Sequence, residues 1–281
     1  MENSYKISFK ALRQEGARDV FASLNRALEA LEIDFYLIGA LARDTWFAQK
    51  GIRALGTKDI DFAVLVSDES QYQKLRHFLI KEEDFTESSS NEYVLFNRQG
   101  HQIDLLPFGA VEIEGKKIVD KQGLFHTNIS GFKEVYEEGT EEVNFEGEYN
   151  FKVSTLAGIV ILKLIAYDDR PEIRSNDIGD IAAIISHYFD LESDLIYDKH
   201  ADLFAGEEQS LERIAARVLG RQMKLILNRN ALLKERIISI LQINAQSPED
   251  SSIGLQFVNG NIQTVDEAIL VINEMMKGIE E

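Results

Sequence analysis

The chain has 281 residues, 44% of them hydrophobic and 28% charged, with only 3 prolines, a balance that excludes a disordered or fibrous protein. It has no cysteine, which excludes disulfides, thiolate metal ligands and cysteine nucleophiles, and a cytoplasmic protein is the expectation. The formal charge of −18 repels polyanions at long range, and no apolar run approaches the ~20 residues of a membrane helix, so a nucleic-acid partner needs a local basic patch or bound cations and no membrane partner is expected.

Residues 17–31 carry Val20, Phe21, Leu24, Leu28 and Leu31 at helical spacing, and the apolar run Phe35-Tyr36-Leu37-Ile38 stops at Gly39. This predicts helix, strand and turn. A second helix is expected from Ala40 to Lys50, then a loop, then a β-rich run from Ile60 to Val66. Residues 70–80 read as a helix with Tyr72, Leu75, Phe78 and Leu79 on its apolar side. Hairpins follow: 93–96 with 103–106 about Gly100, Val111–Val119 about Glu114-Gly115, and Val143–Val153 about Glu146-Gly147. After Ser154 the texture is helical, over 155–168, 178–189, 208–227, 230–242 and 266–277. The expected organisation is an α/β domain with a mixed sheet over 1–150 and a helical domain over 151–281.

The sharpest chemical signal is Thr57-Lys58-Asp59-Ile60-Asp61-Phe62, because residues i and i+2 of a strand share a face. Two carboxylates on one side of an apolar strand concentrate negative charge, and hard oxygen ligands suit Mg²⁺. A solvated strand end is the alternative. Asp104 interrupts Ile103-Leu105-Leu106 and is the third candidate, as metal ligand, general base or both. Upstream, Gly39 opens a helix whose first backbone N–H groups can hold phosphate, or it is a plain strand-to-helix turn.

Gly39-Ala40-Leu41-Ala42-Arg43-Asp44, followed by Thr57-Lys58-Asp59-Ile60-Asp61-Phe62-Ala63-Val64, resembles the DNA-polymerase-β-type nucleotidyltransferase superfamily, in particular its AbiEii-like abortive-infection toxin branch. In the second half, Leu162-Lys163-Leu164-Ile165-Ala166, Asp169-Arg170 and Asp177-Ile178-Gly179-Asp180-Ile181 are similar to that branch's lysine-then-aspartate motifs. The resemblance implies an NTP substrate and one or two Mg²⁺ ions on Asp59 and Asp61. It further implies that Lys163 contacts the triphosphate and that Asp180 is essential. It also implies a hydroxyl acceptor such as a tRNA 3′ end, and a toxin held in check by an antitoxin protein. Ala40 and Leu55 depart from the family pattern, so phosphate gripping falls to Arg43, Arg53 or backbone amides, with Gly39, Ala40 and Thr57 lining the nucleotide. Two rivals remain open: a nucleotidyltransferase for a small aminoglycoside-like acceptor, and a catalytically silent nucleotide- or antitoxin-binding module.

Lys163 also stands out by pattern, as the lone charge of an apolar helix that either snorkels or meets an anion. A Lys163→Met change is expected to preserve the fold. Asp177 reads as a helix N-cap and Asp180 as a first-turn residue on the same face. Arg170 either binds phosphate or pairs with Asp168 or Asp169. Arg213, Arg217, Arg221 and Lys224 form a basic stripe, either a solvated face paired with Glu207, Glu208 and Glu212 or an RNA backbone contact.

Overall fold

The structure is a computed structural model that describes residues 5–14, 16–109, 117–119, 126–205, 209–259 and 262–281. It divides into two compact units, Met1–Tyr136 with Thr140–Thr155, and Leu156–Glu281 with Glu137–Gly139.

The first unit opens with β1 (Tyr5–Ile7), α1 (Phe9–Leu12), α2 (Ala17–Leu31), β2 (Asp34–Ile38), α3 (Gly39–Gln49), β3 (Asp59–Val66) and α4 (Glu69–Glu82). It continues through β4 (Thr86–Glu87), β5 (Val94–Phe96), β6 (Gln102–Gly109), β7 (Lys117–Val119), β8 (His126–Asn128), α5 (Phe132–Glu138), β9 (Thr140–Phe145) and β10 (Tyr149–Ser154). Eight strands form one mixed sheet in the order β1-β9-β10-β2-β3-β6-β5-β4. At its centre β2 runs antiparallel to β3, while β6 runs parallel to β3. The apolar stripe read from the sequence is the face of α2 that packs inward. Phe21 meets Phe62, Phe145 and Phe151 with ring centroids 5.7, 4.7 and 4.8 Å apart, an aromatic core drawn from three strands. Glu32 ends α2 in the left-handed region at φ 52°, donating its N–H to Leu28 O. The helix α3 is anchored by the Trp46 indole, which donates to Ser154 O at 2.7 Å.

Most of the proposed Val111–Val119 hairpin, with its turn at Glu114-Gly115, lies outside the described residues; Lys117–Val119 pairs with His126–Asn128. The Val143–Val153 segment is the β9–β10 hairpin, reversing where Glu146 and Gly147 take φ 58° and 81°.

The second unit is helical: α6 (Leu156–Asp169), α7 (Ser175–Leu191), α8 (Ser193–Lys199), a 3₁₀ turn at Ala201–Phe204, α9 (Leu211–Leu227), α10 (Ala231–Asn244), α11 (Ser252–Asn259) and α12 (Val265–Glu280). Ser210, Asn230 and Thr264 cap three of these by accepting first-turn backbone N–H groups. Where α9 crosses α12, a Cβ on Gly220 would lie 2.2 Å from the Met275 carbonyl oxygen, and one on Gly278 2.2 Å from that of Arg217. Only glycine permits so close a backbone approach. Among the described residues, no helix is long and apolar enough to cross a membrane.

The start of α7 corrects one reading. The helix begins at Ser175 with Arg174 as the flanking residue, so Asp177 lies inside the first turn and Asp180 a turn further on. Asp177 is not the cap; its carboxylate is turned to another partner, as shown below.

Candidate active site

Strand parity places the acids. Along β3 the side chains of Ile60, Phe62 and Val64 are fully buried on one face, while Asp59 and Asp61 stand half-buried on the other. The parallel neighbour β6 runs in register, with Gln102 opposite Asp59 and Asp104 opposite Asp61. Each of Asp59, Asp61 and Asp104 thereby offers one carboxylate oxygen, and the three oxygens lie within 4.8 Å of one another. Asp59 Oδ1 accepts the Thr57 hydroxyl at 2.6 Å, and Asp104 Oδ1 accepts the Gln102 amide at 2.7 Å. These bonds orient the two carboxylates.

Gly39 closes the site from the side of β2. Ile38, the last residue of β2, pairs with Asp61, and the chain then turns into α3 with Gly39 at φ +70°. A Cβ on Gly39 would lie 2.3 Å from Asp61 Oδ2, so both backbone conformation and space exclude a side chain there. The first N–H groups of α3 have no intrahelical acceptor, and they begin at the residue that touches Asp61. Ala40 contributes only its backbone and a methyl group. The donor set fits a hard divalent cation, since Mg²⁺ is held by a few carboxylate oxygens and keeps waters for the rest of its shell.

Other expected site residues sit differently. Arg43 is 1% exposed, and its guanidinium donates to Asp44 Oδ1 from Nε at 2.9 Å and from NH2 at 2.6 Å. A phosphate grip needs an accessible guanidinium, so Arg43 is better described as part of the interior; Arg53 is the exposed arginine of the following loop. Thr57 is occupied with orienting Asp59.

Within the helical unit, Lys163 does meet anions, and they belong to the chain. Its Nζ lies 2.6 Å from Asp177 Oδ1 and 2.7 Å from Asp180 Oδ2, so the snorkelling reading fails and Asp180 is engaged by the lysine. Burial acts to lower the Lys163 pKa, yet Asp177 and Asp180 together outweigh it and hold the ammonium above its ordinary value. Asp168 and Asp169 pair with Arg236, at 2.6 and 3.1 Å, so they are not reserved for the half-buried Arg170.

Three members of the basic stripe, Arg213, Arg217 and Arg221, are turned against α12 and the 3₁₀ turn. Arg217 pairs with Glu274 at 2.8 Å and with Glu281, Arg221 pairs with Asp202 at 2.6 Å and with Glu281, and Arg213 stands 3.9 Å from Glu274. The expected partners Glu207 and Glu208 lie outside the described residues.

Two bonds around the carboxylates escape the sequence reading. Gln102 shares a face with Asp104 by the same i, i+2 parity as Asp59 and Asp61, and that was the available signal. Asp44 gave no signal beyond its place in the motif; its Oδ2 accepts the Gly56 N–H at 2.8 Å, a bond that depends on a loop folding back onto α3.

No protein-family profile matches the chain, and no curated protein matches it. Among solved structures it is similar to the antibiotic-resistance factor ANT(2'')-Ia, at 11% identity and a TM-score of 0.36, over 67% of this chain and 94% of that one. A likeness of that depth assigns no chemistry, which has to be argued from the residues.

Proposed function

We propose that the chain is a divalent-metal-dependent nucleotidyltransferase that moves a nucleotidyl group from an NTP to a hydroxyl acceptor. The observation that carries this reading is the convergence of Asp59, Asp61 and Asp104 on adjacent parallel strands beside the glycine that opens α3. Bound by these carboxylates, one or two Mg²⁺ ions would neutralise triphosphate charge and acidify the acceptor hydroxyl. Asp59 and Asp61 would act as ligands. Asp104, within or outside the ligand set, would take the acceptor proton as the acceptor oxygen bonds to the α-phosphorus and the bond to pyrophosphate breaks. The opening amides of α3 and the exposed Arg53 are the groups of this unit suited to phosphate oxygens. Lys163 and Arg170 as triphosphate contacts, and a controlling antitoxin, rest on the resemblance alone.

For the acceptor, two readings stand: an RNA 3′ end such as that of tRNA, and a small hydroxylated compound. The ion pairs of Arg217 and Arg221 favour the small compound, because phosphate contact along the stripe would have to break them. Incubation with each labelled NTP and Mg²⁺, with bulk tRNA or with a panel of polyhydroxylated compounds, tests both. A labelled product and released pyrophosphate are expected, lost with chelator and in Asp61→Asn. Absence of pyrophosphate release with every NTP and acceptor class overturns the reading.

A further inference from the structure

Asp44 is a carboxylate with no exposure at all, in the middle of α3, and its two oxygens do different work. Oδ1 is held by the Arg43 guanidinium, at 2.9 and 2.6 Å. Oδ2 accepts the backbone N–H of Gly56 at 2.8 Å, reaching out of the helix to the loop that precedes β3. Gly56 is itself exposed, has open space around it and takes φ +80°, so its glycine serves the backbone conformation of the loop rather than a close approach. The next residue, Thr57, donates its hydroxyl to Asp59 Oδ1 at 2.6 Å. A continuous chain of bonds thus runs from Arg43 through Asp44, Gly56 and Thr57 to the first carboxylate of the cluster.

A buried ion pair is a costly way to hold two neighbouring residues of one helix, since apolar side chains of like volume commonly do as well. What apolar side chains cannot supply is the acceptor for the Gly56 N–H. We infer that Asp44 is a positioning residue of the carboxylate site: it pins Gly56 so that Thr57 orients Asp59 for a divalent cation. The Arg43 guanidinium in turn holds Asp44 in place through its two hydrogen bonds to Oδ1. This rests on the metal-site reading of Asp59, Asp61 and Asp104 given above.

The test is Mn²⁺ affinity by isothermal titration of the full chain, alongside urea unfolding. Asp44→Asn removes the charge at constant volume, and its Mn²⁺ dissociation constant should rise about 10- to 100-fold, the usual range for a residue that orients a metal ligand. Thr57→Val should weaken binding through the same link, and the Asp44→Asn, Thr57→Val double variant should bind no worse than Asp44→Asn alone. A purely structural role predicts instead a lower urea midpoint with Mn²⁺ affinity unchanged and additive effects. Should Asp44→Asn fail to fold because Arg43 loses its counter-charge, the paired Arg43→Met, Asp44→Ala variant removes both charges and the acceptor together, with the same loss of affinity expected. A folded Asp44 variant that binds Mn²⁺ as tightly as wild type overturns the inference. Equal affinity in Asp61→Asn overturns the carboxylate site itself, so the two failures are separable.

Discussion

Two acidic clusters of this chain are built on opposite principles. In the helical unit Asp177 and Asp180 converge on an ammonium, Lys163, and Arg174 stands 3.6 Å from Asp177, so two negative charges meet two positive ones. In the sheet unit Asp59, Asp61 and Asp104 converge on one another, held by parallel register and oriented by hydroxyl and amide donors. Like charges brought together favour a bound cation or a retained proton. The first cluster is what a fold needs in order to bury a lysine; the second is what the proposed metal-dependent function would need.

Four changes would break or sharpen that contrast. The largest effect is expected for Asp61→Asn, which should cut nucleotidyl transfer by about a thousandfold, ~4 kcal/mol, without lowering the melting temperature, because it relieves repulsion and removes almost no volume. Steady-state turnover and a thermal melt on the same preparation decide it. Lys163→Met should do the reverse of the fold-preserving change that the sequence suggests. It strips a mostly buried pair of carboxylates of their cation and should cost about 3 kcal/mol in urea unfolding. Adding Asp177→Asn and Asp180→Asn should restore most of that stability, and a Met variant of undiminished stability would erase the contrast.

Gly39→Ala should weaken Mn²⁺ binding about tenfold, ~1.4 kcal/mol, since its Cβ displaces the Asp61 carboxylate, and titration at matched protein concentration reads this directly. The smallest effect concerns Glu281, whose carboxyl is held down to about 2, from 4.5, by hydrogen bonds from Arg217 and then Arg221. Its contribution is fully present above pH 4.5 and is lost as pH falls toward 2. Urea midpoints measured across that window should fall less steeply in Glu281→Gln than in wild type.

Legibility followed range along the chain. The residues of α2, with Val20, Phe21 and Leu24 at helical spacing, and the alternation of β3 were readable because each pattern is complete within one element. The short pieces β1, α1, α8 and α11 were not, since three to eight residues give too few repeats of either period. That Asp59 and Asp61 share a face is local information; that Asp104 lies opposite Asp61 needed the β3–β6 register, which the interrupting aspartate only suggested. The same limit explains Lys163. Its need for an anion is plain in an apolar helix, and Asp177 and Asp180 are visibly on one face, yet only the pairing of α6 with α7 joins the two facts. Asp44 lay furthest from reach because its partner is a backbone N–H, and backbone donors leave no mark in a sequence.

The parallel register of β3 and β6 also sets when the acidic cluster can exist during folding. Asp61 and Asp104 meet across neighbouring strands, but the chain between them runs through α4, β4 and β5 before β6 can dock. Such non-local pairing requires loop closure before any contact rewards it, so it forms late. Until then Asp104 is separated from Asp59 and Asp61 by a flexible stretch of chain. A cation held by all three carboxylates, as proposed, would therefore require the closed centre of the sheet, and Mg²⁺ added to refolding protein would act on the last steps of assembly rather than the first, slowing the opening of the finished register.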